Sequence, residues 1–160
     1  MYDLVGNLDK ERDRFGNWTD YTFDVYGRLT QTLYPDTTVE TRQYSREGLL
    51  TEVVGRDGLS TRYEYDDAGR QQFVRFVEAG TYTETAYTLQ GWVAKEWDEN
   101  RQLTEYGYDK AGRRTSLIRY DATGANTHSF TYYPNGELQS ETDALNHTTS
   151  YVLNELDQRL

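Results

Sequence analysis

A glycine recurs along this chain at a nearly constant interval, and that interval constrains the fold more than any other feature of the sequence. Successive members of the series are 21, 21, 21, 22, 21 and 24 residues apart. The seven glycines are Gly6, Gly27, Gly48, Gly69, Gly91, Gly112 and Gly136, and Asp157 stands where an eighth would fall. A fixed interval of this length predicts an array of small units, each packed mainly against its neighbours.

Aromatic residues keep step with the glycines. Four residues before the repeat position stand Tyr2, Phe23, Tyr44, Tyr65, Tyr87, Tyr108 and Tyr132, and only the eighth copy differs, with Leu153. Two residues earlier again stand Tyr21, Tyr63, Tyr106, Phe130 and Tyr151, interrupted by Arg42 and Thr85. Residues two apart face the same side of a strand. Each unit is therefore predicted to place a pair of rings on one face.

The copy from Thr61 to Arg70 is the cleanest, and it contains a strand followed by a turn. In Asp66-Asp67-Ala68-Gly69 the first side chain can bond the backbone two residues on. The glycine accepts the positive φ that closes a type I turn with a bulge. We expect Tyr63, Tyr65, Tyr106 and Tyr108 to be mostly buried or packed side by side, and Arg62, Glu64, Glu105 and Asp109 to be largely solvated.

A second turn signal follows each glycine by roughly ten residues, as in Arg56-Asp57-Gly58. Two strands and two turns within about 21 residues leave strands of about six residues, the usual length. The predicted fold class is all-β, a tandem array of antiparallel β-hairpins with about fourteen strands. So long a sheet cannot stay flat, so it should form a curled or spiralling strip.

Composition narrows the possible functions. The net charge is −10 and spread over both halves of the chain, without the basic patch that a nucleic-acid surface requires. Isoleucine occurs once while tyrosine occurs 15 times, so tyrosines must supply most of the packing area. We see no stretch apolar enough to span a membrane and no secretion signal at the start. We therefore expect no nucleic-acid partner and no membrane insertion.

The sequence offers no catalytic constellation. The acidic pairs Asp66-Asp67 and Asp98-Glu99 fall on turns, where they act as turn caps more plausibly than as a shared-proton pair. His128 and His147 are the two histidines, both in polar surroundings, and cysteine is absent. We predict no catalytic residue, no metal site, no cofactor and no enzymatic activity.

The unit Tyr-x-Tyr-Asp-x-x-Gly-Arg resembles the YD repeat of the Rhs family. The resemblance is carried by residues 63–70, 106–113, 21–29 and 2–8, and about eight motif copies cover the chain. It implies similarity to a shell segment of bacterial Rhs toxins, toxin-complex shells and teneurins. In that family the repeats wind into a hollow cocoon that in the toxins encloses an effector, which implies secretion or surface delivery from bacteria.

Two functions compete on this basis. The first is a structural scaffold in which residues 1–160 form a single array, a fragment of a larger shell that contacts other repeats, a second copy of the chain or an enclosed effector. The alternative is a carbohydrate- or cell-surface-binding module that uses the aromatic rows. In either case we expect a small oligomer, because open terminal strands favour pairing. The residues that build the repeat are Tyr21, Phe23, Gly27, Tyr44, Gly48, Tyr63, Tyr65, Asp66, Gly69, Tyr87, Gly91, Tyr106, Tyr108, Asp109, Gly112, Phe130, Tyr132, Gly136 and Tyr151.

Overall fold

A computed structural model describes residues 1–154, so Asp157 of the last motif copy lies outside the described residues. The described elements are all strands. They are β1 (Lys10–Arg12), β2 (Trp18–Phe23), β3 (Leu29–Leu33), β4 (Val39–Tyr44), β5 (Leu50–Val54), β6 (Ser60–Tyr65), β7 (Gln71–Phe76), β8 (Thr81–Tyr87), β9 (Val93–Trp97), β10 (Leu103–Tyr108), β11 (Arg114–Asp121), β12 (Gly124–Tyr132), β13 (Leu138–Thr142) and β14 (Thr148–Ser150). The predicted all-β class is confirmed. No helix in this part of the chain could span a bilayer.

The chain divides into two compact units, Met1–Tyr82 and Thr83–Leu160. In the first unit β1 to β7 follow one another in chain order, each antiparallel to the next. In the second unit the strands from β8 to β14 do the same. Each unit is thus a meander of hairpins without a crossover, as the turn spacing predicts.

The turn that ends at each repeat glycine has one geometry throughout. In the copy around Gly69, its amide donates to the Asp66 carbonyl at 2.9 Å, and the Asp66 amide donates to the Arg70 carbonyl at 2.9 Å. Gly69 has a φ of 76°, in the left-handed region that glycine adopts without strain. The same pair of bonds closes the turns that begin at Asp3, Asp24, Ser45, Thr88, Asp109 and Tyr133. The type I turn with a bulge is confirmed.

Neither of the two compact units has a hydrophobic core in its described residues. Among the described residues only Thr32 and Ser60 are buried, and no apolar side chain is. Tyr63, Tyr65, Tyr106 and Tyr108 are half-buried, less than we expected, because neither unit contains a second layer to cover the sheet. Arg62 and Glu64 are exposed as predicted.

The expectation that Glu105 and Asp109 are largely solvated is wrong, since both side chains are half-buried. The Nζ atom of Lys95 lies 2.5 Å from Oε1 of Glu105, and Nε of Arg113 lies 2.7 Å from Oδ2 of Asp109. These ion pairs hold the two carboxylates against the sheet instead of leaving them in solvent.

The neighbouring repeat also restricts which residue can replace some of these glycines. A Cβ atom added to Gly112 would lie 2.8 Å from Cζ2 of Trp92, and one added to Gly27 would lie 3.5 Å from Oδ1 of Asn7. Trp92 and Asn7 each directly follow the glycine of the preceding repeat. At these two positions the side chain after one glycine therefore covers the next glycine along the sheet, and at Gly112 it leaves no room for a methyl group.

We expect Gly112→Ala to destabilise the chain more than Gly136→Ala. Both residues have positive φ, 82° and 100°, so alanine costs about 1–2 kcal/mol of backbone strain at either position. Only Gly112 faces a neighbouring ring, whereas no atom lies within 4 Å at Gly136, so overpacking should add about 1–3 kcal/mol at Gly112 alone. Urea unfolding measures the difference. Equal losses would show that Trp92 does not restrict this position.

Candidate functional site

The contacts that join one hairpin to the next are the candidate functional site, and they begin with an aspartate that clamps each turn. Oδ1 of Asp66 accepts hydrogen bonds from the amides of Ala68 and Arg70, both at 2.9 Å, and Oδ2 accepts one from Nε of Arg70 at 2.7 Å. The pairs Asp24–Arg28 and Asp109–Arg113 repeat this arrangement. The hydrogen bond from the Arg70 side chain holds the pKa of Asp66 below its usual value.

The arginine of the clamp also reaches the following unit. Nη1 of Arg28 donates to the Ser45 carbonyl at 3.2 Å, and its guanidinium lies 4.8 Å from the centre of the Tyr44 ring. Arg113 makes the equivalent contacts, donating to the Tyr133 carbonyl at 3.0 Å and lying 4.8 Å from the Tyr132 ring. A single side chain thus stabilises its own turn and the turn of the next hairpin.

Trp92 occupies the arginine position in its unit and makes a similar contact by different chemistry. Its ring lies 5.3 Å from the ring of Tyr108, the aromatic residue of the next unit. A cation–π contact and an aromatic pair contribute comparable energies, each on the order of 1 kcal/mol. The residue after the glycine can therefore contact the next aromatic ring whether or not it carries a charge.

The second aromatic residue of the motif makes the return contact with the preceding unit. Hydroxyl groups donate to backbone carbonyls as follows: Tyr44 to Leu29 at 2.9 Å, Tyr65 to Leu50 at 2.7 Å, Tyr108 to Val93 at 2.9 Å and Tyr132 to Arg114 at 2.7 Å. Phe23 carries no hydroxyl and cannot make this bond.

The tyrosine bond replaces backbone pairing where the strands part. The ladder between β3 and β4 contains three residue pairs and stops at Gln31 and Thr41. The ladders between β5 and β6 and between β9 and β10 are equally short. Beyond the end of each ladder the carbonyls of Leu29, Leu50 and Val93 would lack a strand partner, and the tyrosine hydroxyl supplies one.

The first aromatic residue of the motif bonds a glutamate ten residues earlier in three units. The hydroxyl of Tyr21 donates to Glu11 at 3.1 Å, Tyr106 donates to Glu96, and Tyr151 donates to Glu141. Burial first, and then the bond to Glu96, raises the pKa of Tyr106 to about 12. Sequence reasoning missed these pairs, although the constant spacing of ten residues was available as a signal.

We expect Tyr65→Phe to lower the free energy of unfolding by about 0.5–1.5 kcal/mol, because it removes the hydrogen bond to Leu50 and keeps the ring. Tyr63→Phe is the matched control. Tyr63 is half-buried on the same strand, and its hydroxyl has no hydrogen-bond partner within residues 1–154. Chemical denaturation of both variants measures the effect, and a loss in Tyr63→Phe as large as in Tyr65→Phe would contradict the assignment.

The turn clamp predicts a pH dependence. The pKa of Asp66 is lowered in the folded chain, so its contribution to stability is present above the unfolded pKa of about 3.9 and is lost as pH falls through the folded value. Asp66→Asn should therefore be less stable than the wild type at pH 7, and the difference in stability should narrow as the pH falls below the unfolded pKa of about 3.9. Asp67→Asn, at the exposed apex of the same turn, is the control and should melt close to the wild type at pH 7.

The remaining candidate residues do not assemble into a chemical centre in the described part of the chain. No group of three or more His, Asp or Glu side chains in residues 1–154 has the geometry to hold a metal ion. Nδ1 of His147 lies 3.1 Å from Asp143, the residue that caps its own turn. Asp98 likewise accepts bonds from the amides of Asn100 and Gln102. The acidic groups thus serve the turns in which they lie.

Comparison with known proteins identifies the repeat. Residues 44–74 match the family model described as RHS Repeat. This segment of the chain is therefore similar to the RHS repeat. The matched segment runs from Tyr44 through the Gly48 turn to β7 and includes the Tyr65–Leu50 bond described above. No curated protein matches the chain in sequence.

Solved structures share the fold of this chain. A chain of the Photorhabdus luminescens Tc holotoxin pore superimposes over 100% of these residues with a TM-score of 0.78 and 16% identity. A chain of the TcdB2-TccC3 crystal structure covers 99% with a TM-score of 0.58 and 17% identity. This chain spans 10% and 11% of the length of those two chains.

Proposed function

We propose that this chain is a non-catalytic scaffold, a wall segment of an RHS-type shell that encloses a toxin or effector. In this proposal residues 1–160 act as a single array whose partners are further repeats of the same shell and the enclosed protein. Delivery would be secretion or surface display from a bacterium, as the family resemblance implies.

The observation that carries the proposal is the way each hairpin is fastened to the next. Arg28 and Tyr44 link successive repeats in both directions. Arg113 and Tyr132 do the same, and in the repeat before that Trp92 contacts the ring of Tyr108. An array built from nearest-neighbour contacts can be extended without limit and needs no central core. Those are the requirements for a wall that surrounds a space.

The comparisons support the same role at the level of the fold. Both Tc chains contain a stretch that superimposes on nearly all of this chain, which spans only 10% and 11% of their lengths. A wall segment would be expected to account for a small share of such a chain. Enclosure of a cargo by this protein is our proposal.

The alternative, glycan binding by the aromatic rows, is disfavoured because the rows are already engaged. The hydroxyls of Tyr44 and Tyr65 bond backbone carbonyls, and the Tyr44 ring is covered by Arg28. A sugar that stacked on these rings would have to displace contacts that hold the units together. A glycan array should accordingly show no saturable binding.

The full-length product of the gene that encodes this chain provides the test. Imaged by cryo-electron microscopy, it should show a hollow shell whose wall contains these residues and whose interior holds additional density. The enclosed protein should resist added protease until the shell is opened with denaturant. A solid particle, or a cargo cleaved as fast in the native particle as after denaturation, would contradict the proposal.

A further inference from the structure

One face of the second unit carries a cavity at the point where the series of motif aromatics is interrupted. Thr85 stands where five other copies of the motif carry a tyrosine or a phenylalanine. The cavity has a volume of 570 Å³, within the roughly 300–1,000 Å³ of typical ligand sites. Its lining includes Thr83, Thr85, Glu96, Thr104 and Arg119. We name it the Thr85 cavity.

Four of the lining side chains form one row across four strands. Thr85 on β8 lies opposite Glu96 on β9, and Glu96 lies opposite Thr104 on β10. Thr104 in turn lies opposite Arg119 on β11. Residues directly opposite each other in antiparallel strands project from the same face of the sheet. The row therefore forms the floor of the cavity, with the backbones of Glu96 and Arg119 two strand spacings, roughly 10 Å, apart.

Arg119 lies where the hairpin of β11 and β12 extends beyond its neighbour. The ladder between β10 and β11 ends at Thr104 and Arg119, whereas β11 and β12 remain paired as far as Asp121 and Gly124. This hairpin belongs to the repeat whose glycine interval is 24 residues instead of 21. The small Thr85 and the longer hairpin are thus two departures from the repeat at one cavity. Departures of this kind are expected at functional sites.

The β11 side of the cavity is positively charged. Arg119 is exposed and forms no ion pair within residues 1–154. Its charge opposes the rise in the pKa of Tyr106 that burial and the bond to Glu96 cause, so its guanidinium lies on the same side of the sheet as those two groups. A guanidinium with unused donors is suited to bind a carboxylate through two parallel hydrogen bonds.

The β9 side of the cavity is negatively charged. Oε2 of Glu96 accepts the hydroxyl of Tyr106, and Oδ1 of Asp98 accepts two amides of its own turn. Neither carboxylate has a cationic partner in the described part of the chain. Glu84 also lines the cavity, but Arg101 pairs with it at 2.9 Å. The Thr85 cavity therefore presents a negative and a positive side that are not paired with each other.

We propose that the Thr85 cavity binds an extended polypeptide segment that carries an acidic side chain and a basic side chain two residues apart. Side chains two apart on an extended chain project in the same direction at a spacing of roughly 7 Å. The acidic one would pair with Arg119 and the basic one with Glu96. The hydroxyl of Thr104 stands between the two charges and can bond the backbone of the segment.

Further repeats are not the expected occupant of the cavity. Within this unit each hairpin joins the sheet beside the previous one, so an added repeat would extend the sheet at a strand edge and leave this face open. Identification of the segment as part of the enclosed protein rests on the proposed function, whereas the binding itself does not. Binding by this chain without a shell, or a shell without this binding, would separate the two proposals.

Nuclear magnetic resonance of the wild-type chain during titration with the capped peptide acetyl-Glu-Ala-Lys-amide tests the proposal. The amide signals of Thr85, Glu96, Thr104 and Arg119 should shift and saturate in the millimolar range. The uncharged peptide acetyl-Gln-Ala-Gln-amide should leave them in place. Absence of saturable shifts with the charged peptide, or equal shifts with both peptides, would overturn the proposal.

Arg119→Gln should weaken binding of the charged peptide at least tenfold, because it removes the group that holds the carboxylate. Arg46→Gln is the matched control. Arg46 is also exposed and forms no ion pair within residues 1–154, but it lies on a turn of the first unit. This control should bind the peptide like the wild type. Equal weakening by the two substitutions would show that only the net charge matters and would overturn the site.

A second variant fills the cavity without changing its charges. Thr85→Tyr restores the aromatic residue that five other copies carry, so the chain should melt at the wild-type temperature or above it. The added ring should occupy the space above the row and abolish the shifts caused by acetyl-Glu-Ala-Lys-amide. Undiminished binding by a folded Thr85→Tyr chain would show that the peptide binds elsewhere.

Discussion

The hydrogen bond from a tyrosine hydroxyl to the backbone of the preceding hairpin is the interaction on which the rest of this structure depends. Residues 1–154 contain no buried apolar side chain, so each hairpin has to obtain its stability from the hairpin beside it. The bond from Tyr65 to Leu50 joins the two strands beyond the end of their ladder, where no backbone pairing holds them together. Its net worth is on the order of 1 kcal/mol, so stability must come from repetition.

The contacts between neighbouring hairpins also explain why the motif residues keep a constant spacing. The aspartate and the arginine after the glycine close one turn, and the arginine, or Trp92 in its place, then lies against the aromatic ring of the next hairpin. Glycine is required at Gly112 both by its positive φ and by the ring of Trp92 above it. One short sequence therefore encodes a turn and the attachment of that turn to its neighbours.

Much of this fold could be predicted from the sequence, because periodicity and turn chemistry are local properties. The 21-residue interval and the Asp66-to-Gly69 turn correctly predicted the hairpins and the positive φ values. Partners between units were harder to predict, since they depend on where each ladder stops. That is why the hydroxyl bond of Tyr65 and the glutamate partner of Tyr106 emerged only with the structure.

Burial was the property that the sequence pattern predicted least well. Alternation along β6 indicated which face carries Tyr63 and Tyr65, but it could not indicate whether a second layer covers that face. In the structure these rings are half-buried, and the ion pair with Lys95 keeps Glu105 half-buried as well. A single-layer array thus has an aromatic face without having an aromatic core.

Amide hydrogen exchange under native conditions, at single-residue resolution, tests the central claim most directly. Gly48 and Gly69 donate their amides to turns in adjacent hairpins that are joined by the Tyr65 bond. If neighbouring hairpins stabilise each other, the hydrogen bonds of both amides should open with nearly the same free energy, and Tyr65→Phe should lower both free energies together. If each hairpin is stable on its own, the two amides will open with unrelated free energies, and Tyr65→Phe will leave the exchange of Gly48 unchanged.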